Sequence, residues 1–115
     1  MNFISSSPRN GATGVSLHPR IRTTFNLNVA SELTHNRNQF RLFRGTTRVG
    51  INVSASRVFA NRRSLFITPI NRLRANTQYR LVILPGLRAN NGNTLGETVT
   101  IRFRTRRTVT PPPQE

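Results

Sequence analysis

The sequence predicts an all-β fold, an antiparallel sandwich of about seven strands, on three observations. Apolar and polar residues alternate with a period of two through most of the chain, the pattern of strands with one buried face. Turn-forming residues recur about every 8–12 positions, the spacing of short strands joined by tight connections. The length of 115 residues fits one domain, with no internal repeat to divide it.

The elements follow in order. From Arg20 to Val29, the residues Ile21, Thr23, Phe25, Leu27 and Val29 share one face, and Arg20, Arg22, Thr24, Asn26 and Asn28 the other. A polar stretch from Ala30 to Asn38 follows, where Ser31 is placed to cap one helical turn through Glu32 and Leu33. Phe40 and Leu42 alternate with Gln39 and Arg41 up to a turn at Gly45. Val49, Ile51 and Val53 read as one further strand, ending near Ser54–Ser56. A turn at Asn61-Arg62-Arg63 leads into Leu65, Phe66 and Ile67, closed by Pro69. Tyr79, Leu81 and Ile83 point inward up to Pro85-Gly86, and Arg88 to Asn93 is a turn-rich loop. The last strand sets Val99, Ile101 and Phe103 inward, with Thr100, Arg102 and Arg104 outward. Residues 1–107 thus form the domain. The segment 108–115, with Pro111-Pro112-Pro113, reads as an extended arm or linker.

Charge is the compositional anomaly. All 18 basic residues are arginine, against three glutamates, giving a net charge of +15. Arginine presents a planar fork of donors suited to bidentate contact with phosphate or carboxylate. Self-repulsion on so small a body would be relieved by an anionic partner, a polyanion or an acidic protein surface.

Catalysis is not expected. There is no cysteine or aspartate, Glu32, Glu97 and Glu115 are far apart in sequence, and His18 and His35 are isolated. No metal site, cofactor site or phosphate-cradling glycine loop is expected. Asn52-Val53-Ser54 matches a glycosylation acceptor but falls on a strand. No run approaches the roughly 20 apolar residues of a membrane helix. Met1–Ser7 lacks the charged and apolar regions of a secretory signal. The expectation is a protein that stays where it is made until assembly, or a module excised from a longer chain.

Several segments together carry a resemblance. Ser7-Pro8-Arg9-Asn10-Gly11-Ala12-Thr13-Gly14-Val15 followed by Ile21-Arg22-Thr23-Thr24-Phe25 resembles the opening of bacterial Ig-like domains of the surface-layer-protein type. Phe66-Ile67-Thr68-Pro69, Leu73 to Tyr79, Gly86-Leu87-Arg88, Gly92-Asn93-Thr94-Leu95 and Phe103-Arg104-Thr105 continue it in order over roughly residues 7–105. The resemblance implies an immunoglobulin-like sandwich whose Tyr79 forms a tyrosine corner. It implies a non-enzymatic spacer or binding module of surface proteins, adhesins and envelope enzymes. Two departures stand out. An acidic residue frequent in the family near Ala89–Asn91 is missing, which removes a possible calcium ligand. The basic surface is also unlike that of secreted members.

In such an arrangement the strands carrying Arg41, Arg80, Arg102 and Arg104 share a sheet and expose these four on one face. Arg20 and Arg22 emerge from the other sheet. Arg62, Arg63, Arg72, Arg74 and Arg88 decorate turns. These six strand arginines are the expected partner-binding residues. The leading function is a structural module docking through arginines onto an anionic surface in a virion shell or a cell-surface layer or filament. Nucleic-acid binding through phosphates is the alternative, with Phe43, Phe59 and Phe66 as the few candidate stacking rings. An adhesin spacer repeat is a third.

Overall fold

Inward-facing residues of two sheets meet in one core. The computed structural model of the protein describes residues 1–107; the expected arm at 108–115 lies outside the described residues. The strands are β1 (Phe3–Ser7), β2 (Ala12–Val15), β3 (Ile21–Phe25), β4 (Phe40–Arg44), β5 (Thr47–Val49), β6 (Ile51–Ser54), β7 (Ser64–Pro69), β8 (Gln78–Ile83) and β9 (Val99–Thr105). One sheet has the order β1-β3-β7-β6 and the other β2-β9-β8-β4-β5. Pairing is antiparallel throughout except for β2, which runs parallel to β9.

Alternation sets the register. Leu42, Leu81 and Ile101 lie opposite one another across β4, β8 and β9, and all three are buried. Phe25, Phe40, Tyr79 and Phe103 are the largest fully buried side chains, with the rings of Tyr79 and Phe103 stacked at 5.8 Å. Burying each such side chain contributes roughly 1.5–3 kcal/mol. Residues between the strands complete the core: Leu17, Leu73, Leu87 and Leu95 are all buried.

The described residues form nine strands rather than about seven, and the reasons are specific. The Val49–Val53 run is not one strand. Val49 closes β5 in the larger sheet, the chain passes Gly50, and Ile51 opens β6 in the smaller one. Such a change of sheet keeps alternate residues inward on both sides, so periodicity does not register it. The N-terminal residues do the same: β1 pairs with β3, the chain turns through Pro8 to Gly11, and β2 joins the edge of the other sheet beside β9. Each end of each sheet is therefore an edge made by a strand that changes sheet.

Two local expectations are corrected. Leu27 is only half-buried, because β3 stops at Phe25 and the chain then turns away. Ser31 does not cap the helical segment. Asn28 does: its Oδ1 accepts from the N–H of Ala30 at 3.1 Å and of Ser31 at 3.3 Å. The segment comprises 3-10 turns at Ala30–Glu32 and Arg37–Gln39 around a single turn, α1 (Leu33–Asn36). Asn36 ties it to the sandwich. Its buried side chain donates to the carbonyls of Val29 and Arg88 and accepts from the Arg88 N–H, at 2.8 to 3.0 Å.

Candidate functional site

The outer face of the five-stranded sheet collects the arginines that the alternation aims away from the core. Arg80 lies directly opposite Arg102 on β9 and opposite Phe43 on β4, and Phe43 in turn lies opposite Arg48 on β5. One row across four strands therefore reads Arg48, Phe43, Arg80, Arg102. With strands about 4.8 Å apart, the row spans roughly 15 Å. The Arg80 guanidinium sits over the Phe43 ring at 4.8 Å, an arrangement worth about 0.5–1 kcal/mol at an exposed site. Like charges directly opposite, as in Arg80 and Arg102, work against the sheet. A shallow depression of about 180 Å³ runs along the row between Phe43, Gly45, Gln78, Arg80 and Arg102.

Arg104 is one step along β9 on the same face, opposite Gln78, and its Nη1 donates to the Asn76 carbonyl at 3.3 Å. Arg41 shares the face through its pairing with Val82 but is turned back at the start of β4. Its Nη1 donates to the carbonyls of Asn38 at 2.6 Å and Phe40 at 3.1 Å. Four of the expected residues are thus on one face, Arg80 and Arg102 within the row and Arg41 and Arg104 at its flanks, each held to backbone carbonyls. Arg48 belongs to this row and sequence reasoning missed it. The available signal was the Gly45 turn, which makes Thr47–Val49 the return strand of a hairpin and sets Arg48 opposite Phe43.

Arg20 and Arg22 lie on the opposite side of the sandwich and have a structural duty there. Phe66 faces outward from β7, yet it is only 6% exposed. The Arg20 guanidinium covers its ring at 4.0 Å and that of Arg22 approaches to 5.6 Å. Arg22 is fixed further by donating to Ser64 Oγ at 3.1 Å and Asn61 Oδ1 at 3.2 Å. All three candidate stacking rings carry a guanidinium, Phe66 and Phe43 on the sheets and Phe59 in a turn. Phe59 remains 74% exposed, with Arg62 4.1 Å from its ring centroid.

Carboxylates barely offset this charge. Glu32 pairs with Arg88 at 3.2 Å, the one ion pair among the described residues. No group of three His, Cys, Asp or Glu side chains that could hold a metal occurs among the described residues. His35 Nε2 donates to the Gly86 carbonyl at 2.7 Å, so it helps hold the helical segment to the β8–β9 connection. Among the described residues no helix is long and apolar enough to cross a membrane.

The tyrosine corner is present: Tyr79 is buried and its hydroxyl accepts from the Arg74 N–H at 2.8 Å. Residues 1–105 match the sequence model of the bacterial Ig-like domain. No curated protein matches the chain. In three dimensions the chain is similar to the structure of surface layer protein SbsC, domains 1–6, with a TM-score of 0.65 and 18% identity over 94% of this chain and 14% of that one. It is similar also to the N-terminal part of the bacterial S-layer protein SbsC, with a TM-score of 0.63 and 17% identity over 91% of this chain and 23% of that one. L,D-transpeptidase 3 from Mycobacterium tuberculosis gives a TM-score of 0.57 and 10% identity over 91% of this chain and 37% of that one. At such identities the likeness is one of fold. The chain spans less than a quarter of the length of either S-layer chain.

Proposed function

The chain belongs to the bacterial Ig-like domain family, and we propose that it serves as a non-catalytic structural module docking through arginines onto an anionic surface within a cell-surface assembly. Residues 1–107 are the docking body in this reading, and 108–115 a separate Pro-rich arm or linker. The observation that carries the proposal is the row of Arg48, Arg80 and Arg102 on a rigid sheet, with no carboxylate partner among the described residues. Fixed cations that repel one another gain on meeting an anionic surface and release its counterions. The likeness in fold to S-layer domains supports an assembled, cell-surface setting over a virion. The covering of Phe43 and Phe66 by guanidiniums supports a polyanion or acidic protein surface over base stacking on single-stranded nucleic acid.

The test is a salt titration on immobilised heparin, polyglutamate and single-stranded DNA. Replacing Arg41, Arg80, Arg102 and Arg104 with Gln should leave the fold intact, lower the salt needed for elution and flatten the salt dependence. The same four-residue change at Arg62, Arg63, Arg72 and Arg74 should do less, because turn side chains lose more entropy when fixed. If the turn set does more damage, docking is through the loop ends and this face is wrong. Preference for DNA over both other surfaces at equal salt would favour nucleic-acid binding instead.

A further inference from the structure

The free edges created where the chain changes sheet at Gly50 flank a groove of about 880 Å³. Its walls include Arg37, Arg48, Val49, Ile51, Val53 and Ile70, and no acidic residue lines it. β6 is the last strand of its sheet, with a neighbour on one side only. In an antiparallel ladder each residue aims its N–H and C=O at the same neighbour, and successive residues alternate sides. The Ile70 N–H donates to the Gly50 carbonyl at 3.0 Å, which sets the phase. Gly50, Asn52 and Ser54 face β7, while Ile51 and Val53 face the open side. Pro69, which has no N–H, lies opposite Ile51, as that phase requires. The outward backbone groups of Ile51 and Val53 have no hydrogen-bond partner among the described residues, although Val53 is only 8% exposed. Beside them Ile70 is 60% exposed, and neither Arg37 nor Arg48 is in an ion pair among the described residues.

We propose that this groove takes an extended acidic peptide segment of a partner protein, added as a strand to the free edge of β6, with Arg37 meeting its carboxylates and Arg48 standing at the mouth. Three features select this occupant. The two guanidiniums select an anion. The unpaired N–H and C=O groups of Ile51 and Val53 call for a backbone that both donates and accepts, and a phosphodiester chain has no N–H to give. The apolar floor of Val49, Ile51 and Ile70 accepts every second side chain of a strand. The proposal shares Arg48 with the Arg80–Arg102 row, but it rests on the free edge of β6 and on Arg37, so each can fail without the other.

The probe is a ten-residue peptide of alternating Glu and Val, titrated into isotope-labelled protein and followed by amide chemical shifts. The Ile51 and Val53 amides should move and their hydrogen exchange should slow. Two peptides N-methylated at every second residue, one at the Glu and one at the Val positions, each lose one alternate set of donors. The one stripped of the donors aimed at β6 should bind more weakly by about tenfold or more. Arg37→Gln should weaken it several-fold, whereas Arg102→Gln, with the same loss of charge, should have little effect. A dispersed spectrum for each variant confirms that it is folded. The proposal is overturned by absence of binding, by unweakened binding of both N-methylated peptides, or by equal effects of Arg37→Gln and Arg102→Gln. It is overturned also if a thymidine oligonucleotide moves the Ile51 and Val53 amides as strongly as the peptide does.

Discussion

Tyr79 does two jobs with one side chain. Its ring stacks on Phe103 in the core, and its hydroxyl accepts the Arg74 N–H, fixing the crossing that delivers the chain into β8. Tyr79→Phe keeps the ring and removes the acceptor, so it should cost about 0.5–1.5 kcal/mol, measured by urea denaturation. An unchanged midpoint would reduce Tyr79 to a packing residue. Phe66 shows the opposite case, an apolar residue on an outward face. Its position would expose a ring to water, and the stems and planar heads of Arg20 and Arg22 cover it instead. Arginine here is partly a packing material, which lysine with its compact, strongly hydrated head would replace poorly.

Among the elements, the β4–β5 hairpin decides the composition of the candidate face. Gly45 at its tip has a φ of +61°, in the left-handed region, with open space where a Cβ would go. The cost of a side chain there is therefore conformational rather than steric crowding from neighbours. Gly45→Ala should destabilise the protein by about 1 kcal/mol, and Gly45→Asn by less, since asparagine enters this region more readily. Chemical denaturation of the two variants side by side checks the order. Equal losses would mean that the turn relaxes to another geometry. The hairpin holds Arg48 opposite Phe43, so its loss should also remove one cation from the row.

At the scale of the whole molecule, +15 net charge and a single ion pair among the described residues leave long-range repulsion as a standing penalty. Added salt screens such repulsion over about 10 Å at 0.1 M. The thermal midpoint should therefore rise as sodium chloride is raised from a few millimolar to physiological strength. The double replacement Arg80→Gln and Arg102→Gln should raise the midpoint at low salt, by an amount that shrinks as salt is added. A midpoint that falls with salt would show that favourable pairs outweigh the repulsion.

What the sequence determined by itself was the all-β class, the inward residues of β3, β4, β8 and β9, the tyrosine corner and the excess of arginine. Period-two alternation is a local signal that marks a face, and the tyrosine corner is what the resemblance to bacterial Ig-like domains implies. Tertiary structure alone decided which sheet each edge strand joins. Val49 and Ile51 keep one alternating pattern across Gly50 yet belong to different sheets, because Val49 pairs with Leu42 through the local Gly45 hairpin whereas Ile51 lies opposite Pro69 on β7, distant in sequence. Phe3–Ser7 and Ala12–Val15 carry too few apolar residues to announce themselves and become strands by completing the edges beside β3 and β9. The row of Arg48, Phe43, Arg80 and Arg102 has the same origin. Alternation fixes that each residue points outward, but only the register between strands brings them side by side.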